Sequence, residues 1–463
     1  MKNKIHNFIK NNKESILKDY IDLLKIPSIS ETEACKDALS FIKELYNRYG
    51  FEAEQYDDYL LAHYEKGEKS IGLFAHADVV PVDDKWTVTA PFEPKIVDGE
   101  IYARGTIDNK SAVIASLYAF RAIKELNLPI KTSLLAFAGA NEESTMQDVK
   151  NYVKAHTPPD FSLVLDAGFP VYYGDKGMLW LELTLNRELD DLISISGGSA
   201  CNIILGEARA TVKYKSALLK ELQEQKEICA EQNGDTIEIY AKGISNHGAV
   251  PMGSINAGGI ILSALFNAPS FSQADKSALK LVRELLCTYD GSPFGIKSND
   301  STYGDTTVTN GIIKVEKGKL IFTVDIRYGS TYTENSLISH LEELFKAEDI
   351  TYRIVKKGQP RHIDLNSPYV CACIKAYRDH TGNYDAKPRI NAGGTYLRYL
   401  PSSVEIGTTT KSNDCTRLPQ GHGKSHQPDE HMNLEGFYDG IEIIIKMILE
   451  CDACSAVRQR INY

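Results

Sequence analysis

Residues 70–80 read SIGLFAHADVV, an apolar run that ends in His76, Ala77 and Asp78. Two further runs share its texture, SLLAFAGA at 133–140 and FSLVLDAG at 161–168, and SAVIASLYAFRAIKEL at 111–126, between the first run and the second, has apolar residues at helical spacing. Short apolar strands crossed over by a helix are the pattern of an α/β sheet. Period-two alternation along the first strand sends His76 and Asp78 to the same side. Parallel strands would gather their carboxyl ends, and with them His76, Asp108, Glu143 and Asp166, on one edge of the sheet, where open α/β sheets place ligands.

Working outward, ESILKDYIDLLK at 14–25 and the stretch 36–48 each place apolar residues on one helical face. From about 175 the texture changes to alternating strands (MLWLELTL, EARATVKY, DTIEIYAKG), then a helix at 255–266, then GKLIFTVDIRY, TENSLISHLEELFKA and ITYRIVKKG. Helices at 367–379 and 434–449 restore the first texture. The expected organisation is therefore a mixed-sheet α/β domain formed by 1–174 and 365–463, interrupted by an α+β insert over 175–364 that has two β-rich halves.

The 463 residues carry 52 Lys plus Arg against 62 Asp plus Glu, a formal charge of −10. An acidic balance argues against a nucleic-acid binder, which needs a basic face. With 43% hydrophobic and 25% charged residues the chain is of ordinary globular composition. No apolar run approaches the roughly 18 residues that span a bilayer, and the opening MKNKIHNFIKNNKES is polar, so no membrane partner and a cytoplasmic location are expected. Nine scattered cysteines do not suggest a disulfide framework and are read as thiols. Cys371-x-Cys373 and Cys451-x-x-Cys454 have metal-like spacing but fall on expected helices, which favours a structural reading.

The chemistry-bearing residues are individually ambiguous. A carboxylate beside a histidine, as in His76-Ala77-Asp78, can fix the ring's tautomer and leave its other nitrogen for a metal. Asp108, just ahead of the 111–126 helix, could be a helix cap. Glu142 and Glu143 at a strand end are costly to desolvate unless a cation or donors await them, and Asp166 repeats the theme. Together with His426 they make an imidazole and carboxylate set that suits Zn²⁺, Mn²⁺ or Co²⁺ and could hold two ions bridged by one carboxylate.

The ordered motifs His76-x-Asp78, Arg104-Gly105-x-x-Asp108-Asn109-Lys110, Asn141-Glu142-Glu143, Asp166-Ala167, Asn246-His247-Gly248-Ala249-x-Pro251-x-Gly253, Asp325-x-Arg327, Gly393-Gly394-Thr395 and His426-x-x-x-Glu430 resemble those of the dinuclear metallopeptidase family of aminoacylase, carnosinase and succinyl-diaminopimelate desuccinylase. The resemblance covers nearly the whole length, and the long insert is most similar to the PepV-like, carnosinase-like dipeptidases. It implies that His76 and Asp166 hold one metal and Glu143 and His426 the other, with Asp108 bridging. Glu142 would be the general base for a metal-activated water, and Asp78 would orient His76. From the lid, His247 would stabilise the oxyanion, while Asn202 and Arg327 bind the carboxyl-terminal half of the substrate. Gly393, Gly394 and Thr395 would offer main-chain donors near the same carboxylate. Ser111 and the run Ile203-Ile204-Leu205-Gly206 depart from the family's usual residues.

The implied activity is that of a hydrolase, a metal-dependent dipeptidase acting on short unblocked peptides with two divalent ions. An N-acyl-amino-acid deacylase shares the chemistry and would be distinguished by its taste for acylated substrates. A silent peptide-binding protein is a third reading, opposed by the presence of every expected ligand together with Glu142. The long insert further implies that one chain suffices for activity, that is, a monomer.

Overall fold

The computed structural model describes residues 2–461. The chain folds as two units, one running to Gly174 and resuming at His362, the other Asp175–Arg361.

In the first unit a nine-stranded sheet begins in the order Glu52–Gln55, Tyr59–Tyr64, Ser133–Gly139, Ser70–His76, Phe161–Val164, Ser403–Glu405. The last four run parallel and the first two antiparallel. Register pairs His76 with Gly139 and Phe74 with Val164, so the parallel strands end at one level. Alternation then sorts the faces. Ile71, Leu73 and Ala75 enter the larger core, beneath the helices Lys2–Leu24, Ala34–Arg48, Lys110–Glu125, Pro368–Thr381 and Leu434–Ile461. Phe74, Phe137 and Val164 enter a smaller core with Tyr152 and Tyr396 on the other face. Helix Lys2–Leu24 starts twelve residues earlier than the 14–25 pattern suggests (14 − 2 = 12), because Ile5, Phe8 and Ile9 extend its buried side.

Gly139 shows why the strand before the glutamates needs a glycine. A Cβ there would lie 1.9 Å from the Tyr396 hydroxyl oxygen and 2.2 Å from Asp148 Oδ2. That close approach lets Asp148 accept the Asn141 N–H at 2.9 Å and set the turn that follows.

The second unit holds an antiparallel sheet that includes the strands Ile228–Asn233, Thr236–Lys242, Glu207–Lys213, Leu192–Gly197, Ile313–Glu316, Lys319–Tyr328, Gly177–Leu185 and Ile350–Gly358, in that order. Its two halves are joined edge to edge through Ser196 with Lys314 and Gly197 with Ile313. The helices Ser216–Gln223, Ala257–Asn267, Gln273–Cys287 and Glu334–Ala347 add to its core. Gln273–Cys287, not expected from the sequence, is capped by Ser272, whose hydroxyl accepts the Asp275 N–H, and buries Leu279, Val282 and Leu286.

All nine cysteines are thiols. Cys373 and Cys451 meet with their sulfurs 3.8 Å apart in the buried contact between the two C-terminal helices. Among the described residues no helix is long and apolar enough to cross a membrane.

Candidate metal centre

The parallel strands and the loops after them bring His76, Asp108, Glu142, Glu143, Asp166 and His426 together within the first unit. Asp108 lies between the two imidazoles. Its Oδ1 is 3.0 Å from His76 Nε2 and its Oδ2 is 3.0 Å from His426 Nε2. His426 Nε2 also lies 3.1 Å from Glu143 Oε2, and His76 Nε2 lies 3.7 Å from Asp166 Oδ1. Ligand atoms of His76, Glu142 and Asp166 lie within 4.8 Å of one another, as do those of His76, Asp108 and Glu143. The helix-cap reading of Asp108 fails here, since the residue at the cap is Asn109.

Asn109 has a different task. Its amide donates to the Leu165 carbonyl at 2.7 Å and to Asp166 Oδ1 at 3.0 Å, and its side-chain oxygen accepts the His76 N–H at 3.3 Å. It thereby ties together two strand ends that carry candidate ligands. Asp78 lies against the His76 ring and also holds the neighbouring turn. His76 Nδ1 faces the Asp78 main-chain carbonyl at 3.0 Å, with the carboxylate farther off at 3.4 Å. The Asp78 carboxylate accepts the N–H groups of Glu142 at 3.2 Å and Glu143 at 3.1 Å, and the Ser30 hydroxyl at 2.5 Å. It anchors the turn that presents both glutamates.

Electrostatics identify what such a cluster needs. Burial and the neighbouring Asp166 charge hold the Glu142 carboxyl well above the usual carboxylate range, and burial with Asp108 pushes Glu143 up to about 7. Burial also raises Asp166. Burial works against a charged ring at His76 and His426, but the surrounding carboxylates outweigh it and raise both. Burial would raise Asp108 too, yet its bonds to His426 and His76 prevail and it is lowered. Four carboxyl groups share this space with two imidazoles, so the protein alone balances its negative charge only by holding protons. Glu143 Oε1 is buried and accepts no hydrogen bond. Hard oxygens plus imidazole, crowded and short of positive charge, fit divalent cations.

The remaining expected residues are divided between the two units. Gly393, Gly394 and Thr395 belong to the first unit, where the Gly393 N–H donates to Asn391 Oδ1 at 2.9 Å and the Thr395 hydroxyl donates to the buried carboxylate of Glu405. Asn202, His247 and Arg327 belong to the second unit. Asn202 Nδ2 is 3.3 Å from His247 Nε2, and the Gly248 N–H donates to the Asn202 carbonyl at 2.7 Å. A Cβ on Gly248 would lie 2.5 Å from Thr309 Oγ1 and 3.1 Å from Asp325 Oδ2, so the glycine lets the His247 loop sit against that strand pair. Arg327 is buried and forks onto Asp325 with Nε at 2.7 Å and Nη2 at 3.0 Å. Ser111, one of the departures, places its hydroxyl 3.1 Å from that of Thr408.

Known proteins share this organisation. A provisionally named dipeptidase of Staphylococcus saprophyticus is 26% identical over 95% of this chain and 97% of its own length. A like-named protein of Staphylococcus haemolyticus is 27% identical over 94% and 96%. Among solved structures, human carnosine dipeptidase 1 superposes with a TM-score of 0.60 at 14% identity, covering 98% of this chain and 99% of the other. Aminoacylhistidine dipeptidase from Vibrio alginolyticus gives 0.54 at 15%, covering 94% and 96%. At such identities the structural matches speak for the fold. The profile of peptidase family M20/M25/M40 matches residues 72–450, more than half of the sequence, and the chain belongs to that family.

Proposed function

We propose that the chain is a metal-dependent dipeptidase that hydrolyses the peptide bond of short unblocked peptides. The observation that carries this reading is the carboxylate of Asp108, one oxygen toward His76 and the other toward His426, with Glu142 buried beside them. His76 and Asp166 would hold one cation, Glu143 and His426 the other, and Asp108 both. Two divalent cations, Zn²⁺ or Mn²⁺ with Co²⁺ also suited, would supply the positive field that lowers the pKa of a water toward neutrality and offsets the repulsion among the carboxylates. The dipeptidase names of the relatives point to the same substrate class.

Glu142 would take the proton from the attacking water and return it to the leaving amine. Asp78 serves that step by pinning the Glu142 main chain, and Asn109 by fixing the His76 and Asp166 strand ends. From the second unit, His247 would donate to the oxyanion, and Asn202 would bind the carboxyl-terminal half of the substrate. Arg327 would read the substrate's terminal carboxylate, and Gly393, Gly394 and Thr395 would line the same end. One chain would suffice, as a cytoplasmic monomer, with the unit 175–361 acting as a lid.

Hydrolysis assays on free and N-acetylated dipeptides, with and without chelator, test the reading. It requires metal-dependent cleavage of the free peptides and little of the acetylated ones. Preference for the acylated substrates would make the chain a deacylase, and hydrolysis of neither would remove the enzymatic reading.

A further inference from the structure

Three consecutive residues after His426, namely Asp429, Glu430 and His431, are fully buried although all are polar. Burying a carboxylate is costly unless its oxygens are satisfied, and buried ion pairs often contribute little net stability over apolar replacements. Glu430 is paired with Arg104 here with both of its carboxylate oxygens satisfied, and so calls for a reason other than stability.

The contacts of Glu430 supply it. Its Oε2 accepts Arg104 Nη1 at 2.7 Å, and its Oε1 accepts the main-chain N–H groups of Ile107 at 2.8 Å and Asp108 at 3.2 Å. Its own carbonyl accepts the Ala103 N–H at 3.1 Å. One side chain thus holds both ends of the turn 104–108, whose last residue carries the carboxylate shared by the two imidazoles. The same short segment carries His426, 318 residues farther along the chain than Asp108 (426 − 108 = 318). Asp429 clamps the other side, accepting the N–H groups of Thr87 at 2.8 Å and Val88 at 2.9 Å and facing His422 Nδ1 at 2.6 Å. Trp86, next in the chain, lies under the Arg104 guanidinium at 5.4 Å.

We propose that Glu430 is a positioning residue for the metal centre: paired with Arg104, it locks the Asp108 turn to the His426 segment so that their side chains arrive at the cations in a fixed relation. The proposal rests on the metal reading given above. Partners of this kind, one step removed from the ligands, orient them and typically change metal affinity by about 10–100-fold when lost. Gln at 430 keeps one oxygen for the two N–H groups but turns an NH2 donor toward Arg104, losing that hydrogen bond with the charge, so it should fall between Glu and Ala.

Calorimetric titration of the metal-stripped full chain with Zn²⁺, on the parent, Glu430→Ala and Glu430→Gln, tests this. The expected result is affinity about 10–100-fold weaker in Glu430→Ala and intermediate in Glu430→Gln. The Zn²⁺ concentration for half-maximal activity should rise by the same factors, while KM for a dipeptide at saturating metal stays near the parent's. A residue that merely supports the fold would lower the melting temperature and leave the affinity of the folded fraction alone. Parental affinity in Glu430→Ala overturns the proposal and leaves the metal site standing. If that variant does not fold, parental affinity in Glu430→Gln does the same. A parent that takes up no metal overturns the metal reading and this proposal with it.

Discussion

His76 and His426 face opposite oxygens of one carboxylate, each with its Nε2 3.0 Å from Asp108. The two rings come from a strand end and from a loop near the far end of the chain, and Asp108 is the residue they have in common. Asp108→Ala should therefore lose bound metal and hydrolysis together, since no other side chain of the cluster lies at hydrogen-bond distance from both rings. Elemental analysis of the purified variant checks this, and two tightly held ions would show that Asp108 does not bridge.

Glu142→Ala should behave differently. Glu142 is buried among the ligands, but neither histidine nitrogen lies at hydrogen-bond distance from it, and its turn is held by Asp78 through the main chain. Metal content should stay near the parent's while kcat falls by about 10²–10⁴-fold, the usual worth of a placed acid–base group. Loss of stoichiometric metal in this variant would make Glu142 a ligand.

The contact of Arg327 with Asp325 can be separated from the substrate-binding role proposed for it. Removing its guanidinium strands the buried Asp325 carboxylate, so Arg327→Ala should destabilise the protein by about 3–5 kcal/mol in denaturant unfolding. Removing both partners in Arg327→Ala/Asp325→Ala should recover part of that loss. Where the variant is folded, turnover of a dipeptide should fall by about 2–4 kcal/mol of transition-state binding, whereas the dipeptide amide, already poor, should hardly change. Equal damage to acid and amide would leave Arg327 a purely structural residue.

Asp148 predicts a pH dependence of stability. Burial, and next the Asp78 charge, push its carboxyl from 3.8 up to about 7. The folded state thus binds this proton more tightly than the unfolded chain does. The resulting stability is fully present below about 4 and is lost as pH rises through about 7. Asp148→Asn removes the titration while keeping an acceptor for the Asn141 N–H. The difference in melting temperature between parent and variant should move in the variant's favour from pH 4 to pH 7.5, and a difference that does not change with pH would contradict the assignment.

Much of the centre was legible because its residues sit at the ends of strands whose apolar runs are unmistakable. His76 follows SIGLFA, Glu142 and Glu143 follow SLLAFAG, and Asp166 follows FSLVL, and parallel pairing then brings these ends to one level. Asp108 was less legible, since a carboxylate before a helix reads equally well as a cap. The parts that hold the ligands in place left no local signal. Glu430 reaches the Asp108 N–H across 322 residues of chain, and the Asp78 carboxylate reaches the glutamate turn across 64 and 65. Neither bond follows from spacing. The helix Gln273–Cys287 did carry a readable cap and apolar stripe, and was obscured by the strand-rich sequence around it.

The most direct test of the central claim is a titration of the metal-stripped chain with Zn²⁺, and separately with Mn²⁺, read at once as bound ions per chain and as hydrolysis of a free dipeptide. Two ions per chain are expected, with hydrolysis absent in the stripped protein and restored as the sites fill. Dipeptide hydrolysis that persists unchanged in the stripped chain, or a chain that binds no divalent ion, would contradict a dinuclear centre built on Asp108.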